Sequence, residues 1–196
     1  MTSAQPLIGE HLALDLVNTR PLTEGGRADL LGTPEQLAAW LGLEPELEAE
    51  VGEATPTAAD VAAVQLVRTQ VDAVVQALLR GGPAPRPALQ ALTEAQRGAP
   101  AVRELTWDGA AVIATTRRQG TLGVRLAARL AEAAADLLTS PAAVRLKECE
   151  ADDCVMLFVP AHPRRRWCSS ARCGNRVRVS RHYHRHKPTD AVRRDQ

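Results

Sequence analysis

Aromatic side chains are nearly missing from this 196-residue chain: three Trp, one Tyr and one Phe make up 3% of it. A core must therefore come from the Leu, Val and Ala of a 45% hydrophobic composition. Platforms for stacking single-stranded bases are correspondingly few. Lysine is scarcer still, with Lys147 and Lys187 the only two among twenty-four basic residues, so positive charge here means guanidinium. No apolar run reaches the roughly eighteen residues that cross a bilayer, and a soluble protein without membrane contact is expected. Met1 to Leu14 has neither the basic nor the apolar segment of a secretory signal, which points to a cytoplasmic, reducing setting. There is no phosphate-binding glycine motif, no HExxH, no GxSxG and no pair of catalytic acids, so an enzyme is not expected. Cysteine is absent from the first 148 residues, and acidic residues are absent from 161–187.

The four cysteines that do occur are Cys149, Cys154, Cys168 and Cys173, as CEADDC, thirteen residues, then CSSARC. Two close-spaced pairs on turns can bring four thiolates to about 2.3 Å from one tetrahedral zinc ion. The four-residue gap lies at the long end of the usual spacing. Two disulfides are the alternative, and they suit a secreted protein; a reducing cytosol favours zinc. Such a site is structural, one ion per chain, with no open position for water.

A formal net charge of +1 conceals a division. Residues 145–196 hold thirteen Arg or Lys against six Asp or Glu, giving +7; residues 1–144 hold eleven against seventeen, giving −6. A basic module for a polyanion and an acidic body for something else are implied. Ser169 is a suitable N-cap, so a helix is predicted from about Ser170 to His186, carrying Cys173. At 100° per residue, Cys173, Val177, Ser180 and His184 share one face, and Arg178, Arg181 and Arg185 gather opposite. Arg172, Arg176, Tyr183 and Lys187 form a second polar stripe, while Arg164, Arg165 and Arg166 precede the helix. These arginines and Lys187 are the candidate nucleic-acid contacts, since guanidinium binds guanine edges or phosphate in a bidentate way. Arg176 has two open roles, contact with DNA or a structural pin on an acid such as Asp152. His182, His184 and His186 point about 160° apart in succession and cannot converge on a metal.

Before the cysteines the pattern is helical. LIGEHLALDLVNT, Leu7 to Thr19, is apolar at both periods and reads as a short helix closed near Asn18. Thr19 to Gly32 is a loop. Thr33-Pro34-Glu35-Gln36 is a capping box opening a helix that stops at Gly42. Glu44 to Pro56 is acidic, with a short turn or helix at best. Thr57-Ala58-Ala59-Asp60 caps a long helix with a stripe of Val61, Val64, Val67, Val71, Val74 and Leu78, ended by Gly81-Gly82. A shorter helix follows over 88–97. Next comes a hairpin, Ala101 to Trp107 and Ala110 to Thr116, turning on Asp108-Gly109. A further helix runs from about Thr121 to Leu138, with Arg125 and Arg129 outside its apolar set. Asp15 and Asn18 are the candidate ligand-binding polar residues of this part, with local capping as their other role.

Arg145-Leu146, CEADDC, Leu157-Phe158, Arg166-Trp167-Cys168-Ser169 and Cys173-Gly174-Asn175-Arg176 together resemble the CGNR zinc-finger family. The Leu14-Asp15-Leu16-Val17-Asn18-Thr19 stretch and the Thr33-Pro34 helix resemble the start of the ABATE-type domain that accompanies this finger. One departure is Val159-Pro160-Ala161-His162-Pro163, where members often carry an Asp-x-Ser-like turn. The resemblance implies a bacterial, stress-related transcription regulator whose finger is regarded as the DNA-binding module. The expected architecture is mainly α (α+β): a helical domain with one β-hairpin at 1–143, a treble-clef-like zinc finger at 144–190 and a tail at 191–196. The body is expected to sense a small-molecule effector or to form a homodimer through helices at 57–80 or 121–138. Its apolar stripes are expected to be separate from the finger. Double-stranded DNA is the expected partner, with nucleoid association when bound; an RNA- or ribosome-associated zinc protein is the alternative.

Overall fold

Apolar residues recurring every three or four positions build a layer of helices, and a computed structural model describes residues 6–179 of the chain. The body runs α1 (Leu12–Val17), β1 (Leu22–Thr23), β2 (Gly26–Arg27), α2 (Pro34–Leu41), a 3₁₀ turn (Pro45–Leu47), α3 (Glu48–Val51) and α4 (Ala58–Leu79). It continues with α5 (Arg86–Gly98), β3 (Val102–Trp107), β4 (Val112–Arg117) and α6 (Leu122–Thr139). After a 3₁₀ turn (Ala143–Arg145) come β5 (Lys147–Glu148), β6 (Leu157–Phe158) and a helical segment, 170–179. Among the described residues the strands form three antiparallel pairs, β1 with β2, β3 with β4 and β5 with β6. The fold is mainly α, as the periodicity predicts. Among the described residues no helix is long and apolar enough to cross a membrane.

Both predicted capping boxes form. Thr33 Oγ1 accepts the Gln36 N–H at 3.3 Å while Gln36 reaches back to Thr33, and Thr57 and Asp60 do the same for α4. Asp60 also serves a second helix. Thr121 gives α6 no side-chain cap, and the Gly123 N–H donates instead to Asp60 Oδ1 at 2.5 Å. That approach needs a glycine, since a Cβ at 123 would stand 2.8 Å from Asp60 Oδ1 and 2.9 Å from its Cα. Burial pushes the Asp60 carboxyl up, but hydrogen bonds from Thr57 and Gly123 outweigh it and hold the group below its usual range.

α4, α5 and α6 pack on one another, with Val64, Val71, Leu126 and Leu130 removed from solvent. The stripes proposed as a dimer seam are therefore used inside the molecule. α1 lies between this layer and β6, and all six of its residues are buried, which explains why its sequence is apolar at both periods.

The β3–β4 hairpin departs from its prediction. Asp108-Gly109 does not make a two-residue turn; Trp107 pairs with Val112, leaving a four-residue loop. Asp108 Oδ1 accepts the Ala110 and Ala111 N–H groups at 2.9 and 2.8 Å, a side-chain closure that competes with the tight turn. All twelve strand residues are exposed.

The finger is not packed apart from the body. β6 alternates, as strands do: Leu157 joins the main core with Leu146, while Phe158 joins a second cluster with Met156 and the cysteines. Leu7, from the start of the chain, packs on that second cluster. The expectation of separate apolar stripes is thus corrected by a strand with one face in each core.

Candidate metal centre and nucleic-acid interface

Each pair of cysteines is placed by a different local structure. β5 and β6 form a small hairpin whose turn carries Cys149 and Cys154, with the Cys149 N–H donating to the Met156 carbonyl at 2.9 Å. Cys168 ends a loop, and Cys173 sits one turn into the terminal helix. Ser169 is the N-cap as predicted, its side chain accepting the Arg172 N–H at 2.9 Å. The first turn, Ser170–Gly174, is π-helical, with the Gly174 N–H reaching the Ser169 carbonyl at 3.0 Å; residues 175–179 are α-helical.

The four sulfurs lie within 4.8 Å of one another, with Cys154–Cys168 at 3.9 Å and Cys168–Cys173 at 3.6 Å. Tetrahedral zinc with bonds near 2.3 Å requires S–S edges of about 3.8 Å, so the set fits one ion. The electrostatics agree. Thiol hydrogen bonds from Cys154 and Cys168 pull the Cys149 thiol down, and the same crowding raises Cys154 and Cys168. Four thiolates cannot be charged together in this space without a cation to share them. The cysteines are all free, so no disulfide competes. This is a site for a single structural zinc ion.

Around it the arginines divide. Arg165 faces inward: its guanidinium lies over Phe158 at 4.3 Å, pairs with Glu10 at 2.5 Å, and donates to the carbonyls of Val159, Trp167 and Cys168. The sequence places Arg165 among the candidate nucleic-acid contacts, whereas here four of its hydrogen bonds go to Glu10 and the knuckle backbone. Arg166 pairs with Glu150 at 2.5 Å and approaches the Trp167 ring. Arg176 pairs with Asp153 at 2.5 Å, one residue beyond the suggested acid, and also donates to Cys173 Sγ at 3.5 Å. Its structural role is therefore visible. Arg164 and Arg178 are exposed, the latter beside Asn175 Oδ1 at 3.1 Å, and Arg172 lies half-buried in the π turn. Val177 packs toward the cysteines while Arg178 points to solvent, in line with the predicted faces. Arg181, Arg185, Lys187 and the three histidines lie outside the described residues.

Two family models match the chain. Residues 10–141 match ABATE, described as "putative stress-induced transcription regulator", and residues 145–186 match the CGNR zinc finger. This chain belongs to the ABATE family. No curated protein matches it.

The ABATE motif around α1 turns out to hold the zinc finger. Asn18 Nδ2 donates to the Leu157 carbonyl at 2.9 Å, and the Leu157 N–H donates to Asn18 Oδ1 at 2.8 Å. Asp15 accepts the Gly9 N–H at 2.8 Å and the Glu10 N–H at 3.1 Å, fixing the turn from which Glu10 reaches Arg165 and the Val159 N–H. Thr19 Oγ1 donates to the Leu16 carbonyl and accepts from Arg68, itself paired with Asp29 at 2.6 Å. Asp15 and Asn18, the candidate ligand-binding residues of the body, are both about 1% exposed and use their polar atoms internally, in the hydrogen bonds just given. Burial, partly offset by those two N–H bonds, raises the Asp15 carboxyl to about 6.

Sequence reasoning missed Glu10 and Glu44. Glu44 sits in the stretch read as a featureless acidic turn, yet it is buried, and burial with the nearby charge of Asp15 raises its carboxyl to about 7. A single acid beside Leu43 and Pro45 carries no periodic signal. Arg125 and Arg129, read only as lying off the apolar face, hold that stretch in place: Arg125 donates to the Glu50 carbonyl at 2.7 Å and Arg129 pairs with Glu46 at 2.7 Å.

Proposed function

We propose that the chain is a DNA-binding transcription regulator whose zinc-held C-terminal module contacts duplex DNA and whose ABATE domain controls that contact. The observation that carries this reading is the acid-free stretch 161–187 with nine Arg or Lys, its helix anchored at Cys173 with Arg178 turned to solvent. A helix fixed on one side and bearing guanidinium on the other suits a groove and its phosphates. Arg164 and Arg178, with Arg181, Arg185 and Lys187, form the DNA-facing set, flanked by Arg166, Arg172 and Arg176. Arg165 has a positioning role, holding the knuckle to Phe158 and Glu10. The zinc neutralises and gathers the four thiolates; the protein's own residues make every contact with the nucleic acid. In the cell such a protein works in the cytoplasm and joins the nucleoid when bound.

Competition binding at fixed salt tests this. Full-length zinc-loaded protein is expected to prefer duplex DNA over single strands and structured RNA. A preference for structured RNA would replace this reading with an RNA-associated one.

A further inference from the structure

The β3–β4 hairpin is a sheet of two strands, and among the described residues neither strand has a second neighbour. Two strands alone are marginally stable in water, and each free edge offers a row of unpaired N–H and C=O groups. The two faces of the hairpin differ. Side chains alternate along a strand, so Arg103, Leu105 and Trp107 share one face with their cross-strand partners Thr116, Ala114 and Val112. Leu105, Trp107 and Val112 stand 69%, 66% and 65% exposed there, an apolar patch open to water. The opposite face carries Glu104, Thr106, Thr115 and Arg117 besides Val102 and Ile113.

The hydrogen bonds fix which backbone groups are free. The Asp108 N–H donates to the Ala111 carbonyl at 3.2 Å. By the antiparallel alternation, Thr106 and Glu104 then bond inward to Ile113 and Thr115. The N–H and C=O groups of Arg103, Leu105 and Trp107 point outward from β3. The outer edge of β3 therefore presents open backbone groups and the two most exposed apolar side chains of the hairpin on the same residues.

We propose that a second copy of this chain pairs along β3, antiparallel, about a two-fold axis at Leu105. Leu105 lies opposite Leu105 of the second copy, and each Arg103 lies opposite a Trp107. These three pairs exchange six main-chain hydrogen bonds, because all their residues have outward groups. The leucines cover one another, and each guanidinium meets an indole. Glu104 meets Thr106 on the other face, so no like charges are opposed. Sliding the register by two residues keeps only four of the bonds and opposes acids, Glu104 to Glu104 in one direction and Glu104 to Asp108 in the other. Pairing along β4 would set Ala114 on Ala114 and leave Leu105 and Trp107 in water. A strand from another protein could satisfy the edge, but β3 itself supplies both the indole that Arg103 needs and the cation that Trp107 needs. The seam is smaller than the roughly 1,200 Å² of standard interfaces, so the dimer is reversible. Two fingers related by a two-fold axis suit inverted half-sites, a consequence that rests on the regulator reading whereas the seam does not.

The test uses the full-length, zinc-loaded protein. Sedimentation equilibrium from about 5 to about 500 µM is expected to show monomer passing to dimer, as a weak interface requires. Amide exchange over the same range should slow at Arg103, Leu105 and Trp107 and stay fast at Val112, Ala114 and Thr116. Leu105→Lys sets two like charges at the axis and should remain monomeric, while protected Glu104 and Thr106 amides show that its hairpin is intact. Ala114→Lys, on the same face but the other strand, should dimerise as the parent does. Arg103→Ala, which removes two cation–ring contacts, should weaken the dimer by about fivefold. A monomer at every concentration, or protection that appears on β4 in place of β3, would overturn the proposal. So would a monomeric Ala114→Lys, which would mark face-to-face packing of the hairpins. Sedimentation needs no DNA, so a monomer that binds duplex removes the seam and keeps the regulator reading.

Discussion

Asn18 pairs with Leu157 as one strand residue pairs with another, giving and taking one hydrogen bond across 139 positions of sequence. Asn18→Ala leaves a buried N–H and a buried C=O without partners, at a cost of roughly 1–3 kcal/mol for each. A lower urea midpoint and faster exchange of the Leu157 amide are expected; an unchanged Leu157 amide would show that the clamp contributes nothing. Glu44 and Asp15 make a different demand, because both carboxyls are raised by burial, to about 7 and about 6. A carboxyl raised above its unfolded value binds more protons in the folded state. Its contribution is therefore fully present below the unfolded value and is lost as pH rises through the folded one. Between pH 5 and pH 8, Glu44→Gln is expected to gain stability relative to the parent in urea melts at matched salt. A constant difference across that range would contradict the burial of the Glu44 charge.

The helices show which elements can be read from sequence and which cannot. The starts of α2 and α4 follow from Thr33 and Thr57 because a capping box is a local signal, complete within four residues. α6 has no such signal, since the group that caps it is Asp60, sixty-three residues earlier. The hairpin turn at Asp108 was legible as a turn but not as a four-residue loop, because one carboxylate takes two N–H groups that a tighter turn would leave elsewhere. Gly123 carries the clearest expectation at this scale. Gly123→Ala gains about 1 kcal/mol of helix propensity. It also forces a Cβ to within 2.8 Å of Asp60 Oδ1, and such overpacking costs about 1–3 kcal/mol with the loss of the shared cap added. Net destabilisation by thermal melting is expected; a variant as stable as the parent would mean that α4 and α6 separate freely.

At the scale of the whole molecule, the metal centre was legible because spacing, thiol chemistry and the CGNR context all meet in one short segment. The union of finger and body was not, because it rests on Glu10–Arg165, Asn18–Leu157 and Leu157 in the main core, contacts between the two ends of the chain. Zinc removal reveals that union. Structural zinc contributes on the order of 10 kcal/mol to modules of this size. Chelation is expected to unfold 145–179 and also to increase hydrogen exchange in α1, whereas a body indifferent to zinc would show that the two cores act separately. DNA contact by the arginine helix is the central claim, and a salt titration of duplex binding by the full-length, zinc-loaded protein tests it most directly. Three or four phosphate contacts predict a log–log slope of about −3, which Arg178→Ala should reduce by about one. Arg165→Ala should instead lower finger stability and leave the slope per folded molecule unchanged. A salt-independent affinity, or an Arg178→Ala slope equal to that of the parent protein, would contradict the assignment of this helix as the DNA-binding element.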